Sequence, residues 1–263
     1  MNVPWNPAQY LQFAGERLRP ALDLLARIPL ERPRTIVDLG CGAGNVTKLL
    51  GERWPDARIV GVDNSKEMLD EARTATRSDP RYTFVVADLS HWRPDAPVDL
   101  IYSNAALHWL PDHGQLFARL AAMLSPGGVL AVQMPDNFRA PSHTTIAALA
   151  RGERWRAKLS AVVRDPPVAA AADYFGWLSP RMARVDIWLT DYLQVLEPRD
   201  DGEHPVAAWT KGTWLVPILA ALDDVERAEF LREYMQQLAI AYPVREDGRT
   251  LFPFRRLFIV ANR

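Results

Sequence analysis

One stretch decides the fold of this chain, Val37-Asp38-Leu39-Gly40-Cys41-Gly42-Ala43-Gly44-Asn45. The apolar run Thr35–Leu39 predicts a buried strand that leads into the glycines, and the residues from Asn45 onward predict a helix. Glycines at every second position let the backbone turn tightly and approach a ligand where a side chain would clash. The stretch therefore predicts a strand–loop–helix unit that holds a ligand against its loop.

The spacing of these glycines differs from that of a dinucleotide-binding loop. Such a loop reads G-x-G-x-x-G and places a pyrophosphate at the N-terminus of the following helix. Here the third glycine comes one residue early, and Asp38 precedes the first glycine. A carboxylate at that place favours a ligand that carries positive charge, although the loop by itself leaves a dinucleotide open.

Composition disfavours several classes of partner. The 263 residues carry a formal net charge of −1, which gives no overall attraction to nucleic acid or to an anionic membrane. No apolar run approaches the ~20 residues that cross a bilayer, and the first residues lack the pattern of a signal peptide. Cys41 is the single cysteine and cannot form an intramolecular disulfide. We expect a cytoplasmic protein that binds neither nucleic acid nor membrane.

Short apolar runs alternate with helical patterns in the first half of the chain, which is typical of a parallel sheet. The predicted strands are Thr35–Leu39, Arg58–Asp63, Tyr82–Ala87, Val98–Ser103, Val129–Met134, Arg184–Leu196 and Arg256–Val260. We expect an α/β fold, a Rossmann-like seven-stranded and mostly parallel sheet with helices on both faces. Predicted helices include Asn45–Trp54, Asp112–Leu124, Asp223–Tyr242 and an N-terminal segment, Ala8–Ile28, interrupted at Pro20.

Two local signals refine these boundaries. Ser125-Pro126-Gly127-Gly128 predicts a turn between a helix and the fifth strand, because it combines a helix breaker with glycines. Asn64 is predicted to cap the helix after the second strand, since Glu67 follows three residues later.

The regular alternation ends at Pro135, and a helical and irregular insertion follows it. We expect a single domain over residues 1–263, in which residues 31–134 form the cofactor-binding half. Residues 1–30 are predicted to form a helical lid, and residues 135–263 a substrate-covering insertion with the C-terminal strands. Such an insertion would lie over the carboxyl ends of the strands, where open α/β sheets bind ligands.

Polar residues follow the ends of successive predicted strands. Asp63 ends the second strand, at about the distance at which a carboxylate accepts the hydroxyls of a ribose. Asp88 and Leu89 follow the third strand and are placed to bind an adenine edge, while Asn104 begins a loop after the fourth. Each acid alone could cap the following helix, but the ordered set favours a ligand site. The predicted cofactor-binding residues are Asp38, Gly40, Gly42, Gly44, Asp63, Asn64, Met68, Asp88, Leu89 and Asn104.

These residues carry a family resemblance. The stretch Val37–Asn45 resembles the first motif of the class I S-adenosylmethionine-dependent methyltransferases, whose cofactor has an ammonium and a sulfonium but no phosphate. Further stretches resemble the trans-aconitate 2-methyltransferases nearly from end to end, including Trp5-Asn6-Pro7, Glu16-Arg17-Leu18-Arg19-Pro20, Ala131-Val132-Gln133-Met134-Pro135-Asp136-Asn137, Arg184–Trp188 and Arg256–Ala261. The resemblance implies S-adenosylmethionine as cofactor and a small carboxylic acid as substrate, one carboxylate of trans-aconitate becoming a monomethyl ester.

Two positions depart from the pattern of that family. His108 stands before Trp109 where the family usually has Gln, and Val216 stands where the family tends to carry Arg. Both departures concern the acceptor, so another small acid, a hydroxyl or a nitrogen stays open as the methylated group. A nicotinamide-dependent oxidoreductase is disfavoured by the glycine spacing, and a non-catalytic cofactor-binding protein is disfavoured by the intact loop after the fourth strand.

The chemistry of a carboxylate acceptor sets what the site must contain. Such an acceptor has an ordinary pKa of about 4 and is ionised at neutral pH, so its attack on a methyl group needs no general base. Catalysis can rest on holding acceptor and methyl in line, with arginines neutralising the remaining carboxylates. The candidate substrate-binding residues are Arg17, Trp109, Lys211, Trp214 and Arg256.

The candidate catalytic residues are His108 and Tyr10. His108 is predicted to position the acceptor as a glutamine would, whereas a hydroxyl or amine acceptor would make it a general base. Tyr10 is predicted to reach the acceptor with its hydroxyl. Arg19 and Arg255 are predicted to be solvated surface residues. The histidines and Cys41 lack metal-ligand spacing, so no metal site is predicted.

Overall fold

The computed structural model describes residues 14–76 and 79–263, with side chains from Leu18 onward. Its strands are β1 Thr35–Leu39, β2 Arg58–Asp63, β3 Tyr82–Val86, β4 Val98–Asn104, β5 Leu124–Pro135, β6 Arg184–Leu196 and β7 Thr250–Asn262. Its helices are α1 Ala14–Ala26, α2 Asn45–Arg53, α3 Lys66–Ala75, α4 His113–Ala122, α5 Pro141–Arg151, α6 Arg156–Leu159, α7 Ala171–Leu178, α8 Pro205–Lys211, α9 Val216–Ala220 and α10 Asp224–Ala241. Within these residues, no helix has the length and apolar character needed to cross a membrane.

The strands form one seven-stranded sheet in the order β3-β2-β1-β4-β5-β7-β6. The pairs β2–β3, β1–β2, β1–β4 and β4–β5 are parallel, and β7 runs antiparallel to β5. The predicted Rossmann-like, mostly parallel sheet is therefore confirmed. The strand order reverses between β1 and β4, and open α/β sheets bind their ligands at the carboxyl ends of the strands beside such a reversal.

Several predicted boundaries are wrong for physical reasons. The turn at Ser125–Gly128 lies inside β5, where the pairing with β4 jumps from Val98–Leu124 to Leu100–Val129 and Gly127 has a φ of +76°. The strand β7 begins six residues before the predicted Arg256. In α1, Pro20 lies within the helix and does not interrupt it, while residues 8–13 of the predicted segment lie outside the described residues.

The cap of α3 is also corrected. The capping residue is Ser65, whose hydroxyl accepts a hydrogen bond from the Met68 amide, whereas Asn64 is exposed. A serine at this position satisfies one of the amides that the first turn of a helix leaves without a partner.

Contacts divide the described chain into two compact units. The sheet unit comprises Arg17–Pro135, Pro167–Thr190 and Arg256–Arg263, and the insertion unit comprises 14–16, Asp136–Pro166 and Asp191–Arg255. In the sheet unit, strand residues such as Ile36, Ile59, Ile101 and Leu130 are fully buried. The insertion unit has its own core, with Trp155, Phe230, Tyr234, Leu238 and Phe252 among its members. The predicted single domain and its three functional ranges stay predictions.

Candidate active site

The glycine loop between β1 and α2 leaves room for a ligand at one glycine and none at another. Gly40 has a φ of +74° and Gly42 a φ of +53°, both in the left-handed region that favours glycine. A Cβ on Gly40 would lie 2.1 Å from the Cβ of Ala106, in the loop after β4. A Cβ on Gly42 would meet no atom within 4 Å in the described part of the chain. The backbone at Gly42 is thus open to a ligand.

The loop is tied to the end of β2. The Gly40 amide donates to the Val62 carbonyl over 2.8 Å, and the Gly42 amide donates to Asp63 Oδ2 over 2.9 Å. Asp63 Oδ1 accepts a further bond from the Ser65 amide over 3.0 Å. Each carboxylate oxygen has a second lone pair, so Asp63 can still accept bonds from ligand hydroxyls beside the open face of Gly42. This arrangement fits the ribose of a nucleoside cofactor.

Asp38, the acid before the loop, is a buried carboxyl. It is 2% exposed, and its Oδ2 accepts a bond from Thr47 Oγ1 over 2.6 Å. Burial raises the pKa of Asp38 to about 7, with the Thr47 bond opposing the rise and the charge of Asp63 adding to it. A cationic group of a ligand would favour the ionised form of Asp38, so cofactor binding through this residue should depend on pH. The predicted cofactor contact of Asp38 stays a prediction.

Replacing Asp38 with Asn should change how stability depends on pH. Between about pH 4 and about pH 7 the folded protein keeps a proton that the unfolded chain has released, so the wild-type free energy of unfolding falls as pH rises through this interval. Asp38→Asn removes this loss. In urea unfolding without cofactor, the variant should gain on the order of 2 kcal/mol relative to wild type between about pH 5 and about pH 8. Parallel pH curves for the two proteins would contradict the raised pKa.

Leu89, after β3, and Ala72, in α3, lie against the same loop at Gly40 and at Gly44. A leucine atom, Leu89 Cδ1, lies 3.6 Å from the position of a Cβ on Gly40. Asp88 is exposed, and hydrogen bonds from the Ser90 hydroxyl and amide lower its pKa, so it is an ionised acceptor. Met68 is 6% exposed in α3. These positions suit contact with a nucleoside, and their predicted roles stay predictions.

The loop after β4 has a strained backbone and is held in place by a hydrogen bond from α4. Ala105 has a φ of +54°, which costs a non-glycine residue about 1–3 kcal/mol and is typical of functional loops. His113 Nε2 lies 3.0 Å from the Leu107 carbonyl and donates to it, and Nδ1 accepts from the Tyr174 hydroxyl over 2.5 Å. Asn104 Oδ1, buried at the start of the loop, has no hydrogen-bond partner among the described residues.

His108 lies in this loop as a buried, neutral imidazole. It is 7% exposed, and its ring centroid lies 4.6 Å from that of the half-exposed Trp109. Burial, followed by the positive charge of Arg256, lowers the pKa of His108 to about 3. Its Nδ1 has no hydrogen-bond partner within the described residues. The histidine therefore has hydrogen-bonding capacity to offer and carries no charge at neutral pH.

Arg256 lies at the same edge of the sheet, and it contacts a residue that the sequence prediction missed. Its Nη1 donates to Gln133 Oε1 over 3.3 Å, with Arg256 4% exposed and Gln133 completely buried. Gln133 is the one polar residue in the run Val129–Met134 of β5, and a polar residue at such a position was the available signal. Thr47, which binds Asp38, was missed as well.

The remaining predicted site residues belong to the insertion unit or fall outside the described residues. Tyr10 lies outside them, and so does the side chain of Arg17. Two belong to the insertion unit, where Lys211 Nζ forms an ion pair with Glu203 and Trp214 packs against Phe138 with ring centroids 5.0 Å apart. Their predicted substrate contacts stay predictions.

Arg255 forms an exposed ion pair with Asp191 over 2.8 Å. Over residues 14–76 and 79–263, no group of three or more His, Cys, Asp or Glu side chains could hold a metal ion.

Comparison with known proteins places the chain in a family. A family model described as a methyltransferase domain matches residues 36–128. The trans-aconitate 2-methyltransferase of Azoarcus sp. (strain BH72) is 48% identical, over 98% of this chain and 99% of its own length. That of Methylobacterium nodulans is 48% identical over 98% of each chain, and that of Escherichia coli O6:K15:H31 is 46% identical over 98% of each.

Solved structures share the fold at low sequence identity. The YcgJ protein from Bacillus subtilis has a TM-score of 0.60 at 15% identity, covering 93% of this chain and 98% of its own. The phosphoethanolamine N-methyltransferase 2 of Haemonchus contortus in complex with S-adenosyl-L-methionine has a TM-score of 0.54 at 18% identity, covering 93% of this chain and 52% of its own. Both similarities bear on the fold alone.

Proposed function

This chain belongs to the trans-aconitate 2-methyltransferase family, and from that premise we propose that it esterifies one carboxylate of trans-aconitate or a closely related small polycarboxylic acid. The observation that carries the proposal is identity of 48% over 98% of this chain and 99% of a relative of that name. S-adenosylmethionine is the cofactor, and it supplies an activated methyl group when bound.

Donor binding is assigned to the carboxyl ends of β1, β2 and β4. The open backbone at Gly42 and the remaining lone pairs of Asp63 suit the nucleoside part of the cofactor. Asp38 and the buried Asn104 Oδ1 suit a positively charged or hydrogen-donating group. Gly40, Gly44, Asn64, Met68, Asp88 and Leu89 complete the proposed donor residues.

Binding of the methyl acceptor is assigned to a second set of residues, which are cationic or aromatic. Arg256 is proposed to hold a carboxylate that does not react, because a buried guanidinium gains most from an anionic partner. Arg17, Lys211, Trp109, Trp214 and Tyr10 are the further proposed acceptor residues. Residues 1–30 and 135–263 are proposed to cover the substrate, and residues 31–134 to bind the donor.

The proposed chemistry needs positioning and no proton transfer to a base. A carboxylate acceptor is ionised at neutral pH, so it attacks without losing a proton. His108, neutral at that pH, orients the acceptor by hydrogen bonding. The residues around the loop after β4 contribute by excluding water and by holding the reacting atoms in line.

The pH profile of activity tests this role of His108. In His108→Gln, the amide can donate and accept as a neutral imidazole does, so kcat should stay within about threefold of wild type. Because His108 is uncharged from about pH 5 upward, the wild-type and variant profiles of kcat should have the same shape. A rise near the ordinary histidine pKa of about 6.5 that vanishes in the variant would establish a base instead.

A direct assay tests the whole proposal. The protein is incubated with S-adenosylmethionine labelled in its methyl group and with trans-aconitate, other tri- and dicarboxylates, and matched hydroxyl and amine compounds. The expected product is a base-labile methyl ester on trans-aconitate or another polycarboxylate. A base-stable product on a hydroxyl or amine would show that the acceptor is not a carboxylate. Failure to bind the cofactor would overturn the proposal of methyl transfer.

The proposed location is the cytoplasm. A single cysteine in 263 residues suits a reducing compartment. Fractionation of cells that produce the chain with an epitope tag tests this assignment, and recovery in a membrane or extracellular fraction would contradict it.

A further inference from the structure

A buried polar cluster, which we define as His108, Gln133 and Arg256, lies at the carboxyl ends of β4 and β5. All three are less than a tenth exposed, and Gln133 is fully buried. Gln133 pairs with Asn104 on β4, while Arg256 on β7 pairs with Pro135, two residues beyond Gln133. Side chains two residues apart in a strand share a face, so Gln133 and Arg256 project from the same side of the sheet.

The cluster has hydrogen-bonding capacity that the described residues leave unused. Gln133 Oε1 accepts from Arg256 Nη1 over 3.3 Å, but Gln133 Nε2 has no partner in the part of the chain that the structure describes. His108 Nδ1 is in the same condition. Native proteins rarely leave buried donors unsatisfied, and such groups cost stability unless a ligand pairs with them. A completely buried amide nitrogen beside a guanidinium is therefore a feature that calls for a ligand.

The charges of the cluster select the chemistry of that ligand. Arg256 carries a permanent positive charge, and Gln133 and His108 are neutral. An amide N–H₂ and a guanidinium are donors only, so they match a group that accepts several hydrogen bonds and carries negative charge. A carboxylate meets both conditions, whereas a hydroxyl or a protonated amine does not.

We propose that Gln133 is a specificity-determining residue whose Nε2 donates to the same acceptor carboxylate that Arg256 binds, while its Oε1 orients the guanidinium. This inference rests on the proposed function. A carboxylate held by a cation and an amide has its lone pairs engaged, which lowers its nucleophilicity. The carboxylate at the cluster is therefore one that stays unmethylated, and the enzyme requires acceptors with at least two carboxyl groups.

Two substitutions of Gln133 separate the parts of this role. Gln133→Leu removes both hydrogen bonds at similar volume, and the KM for trans-aconitate should rise about 10- to 100-fold, as expected for a bond to a charged group. Gln133→Glu places a carboxylate against Arg256 and should raise the KM further by repelling the substrate. In both variants the dissociation constant for S-adenosylmethionine, measured by calorimetry, should stay within about twofold of wild type.

A matched control and a second acceptor keep the test specific. Gln194 is 4% exposed on β6 in the insertion unit, and its amide atoms also lack hydrogen-bond partners among the described residues. Gln194→Leu should leave the KM for trans-aconitate unchanged, so a rise confined to the Gln133 variants identifies a local effect. A monocarboxylate of similar size should be methylated by neither wild type nor Gln133→Leu, because its one carboxylate cannot both occupy the cluster and accept the methyl group.

Calorimetric binding of trans-aconitate in the presence of S-adenosylhomocysteine gives a readout apart from turnover. The inference would be overturned if wild type methylates trans-aconitate and Gln133→Leu binds it with the same affinity as wild type. That result would leave the proposed function intact. A wild type that neither binds nor methylates any polycarboxylate would overturn both. Loss of cofactor binding in Gln133→Leu, with a normal melting temperature, would reassign Gln133 to the donor side.

Discussion

Gly40→Ala should lose both stability and cofactor binding. The new Cβ would lie 2.1 Å from the Ala106 Cβ, a distance that carbon atoms of separate residues do not reach, so the glycine loop or the loop after β4 must move. The left-handed backbone at Gly40 adds strain for any residue with a side chain. We expect the free energy of unfolding to fall by about 2–4 kcal/mol and the affinity for S-adenosylmethionine to fall at least about a hundredfold.

Gly42→Ala is the matched control, because it shares the positive φ but not the clash. Its Cβ would meet no described atom within 4 Å, so only the backbone strain of about 1 kcal/mol should register in unfolding. The cofactor should nevertheless bind much more weakly, since the methyl would occupy the space assigned to it. Urea unfolding and calorimetry on both variants distinguish the two effects. Normal cofactor affinity in Gly42→Ala would show that the cofactor does not lie over Gly42.

The positions of the proposed donor residues in the fold were predictable because their signals are local in sequence. The apolar run of β2 ends at Asp63, and the run of β4 ends at Asn104, so each polar residue indicates the end of its strand without information from the rest of the chain. Parallel strands then bring these ends to one edge of the sheet. The backbone conformation of the glycine loop was predictable from its own spacing and the strand before it, whereas the class of its ligand was not.

The acceptor side depends on contacts that local sequence does not encode. Gln133 and Arg256 are 123 positions apart, and they meet only because β7 inserts beside β5 in a particular register. Turn signals also mislead: the Pro-Gly-Gly at Ser125–Gly128 forms an irregularity inside β5, because the pairing with β4 resumes at Val129.

Arg256→Met should reduce catalysis more than any other single change on the acceptor side. The guanidinium is 4% exposed, so its bond to a substrate carboxylate is poorly screened, and truncating one partner of such a pair costs about 2–5 kcal/mol. The kcat/KM for trans-aconitate should fall by on the order of a hundredfold or more, mainly through KM. The dissociation constant for S-adenosylmethionine should not change, which separates this loss from damage to the glycine loop.

The thermal stability of Arg256→Met sharpens the test. Arg256→Met leaves the buried Gln133 Oε1 without its donor, so the melting temperature of the unliganded variant should fall by several degrees while the variant stays folded. The neighbouring Arg255→Met removes an exposed ion pair with Asp191 and should change neither acceptor KM nor stability by much. If Arg256→Met unfolds while Arg255→Met does not, the guanidinium serves the fold. If Arg256→Met stays folded and binds trans-aconitate normally, the acceptor lies elsewhere. A folded Arg256→Met with intact cofactor binding and lost acceptor affinity is the result that a carboxylate-binding arginine requires.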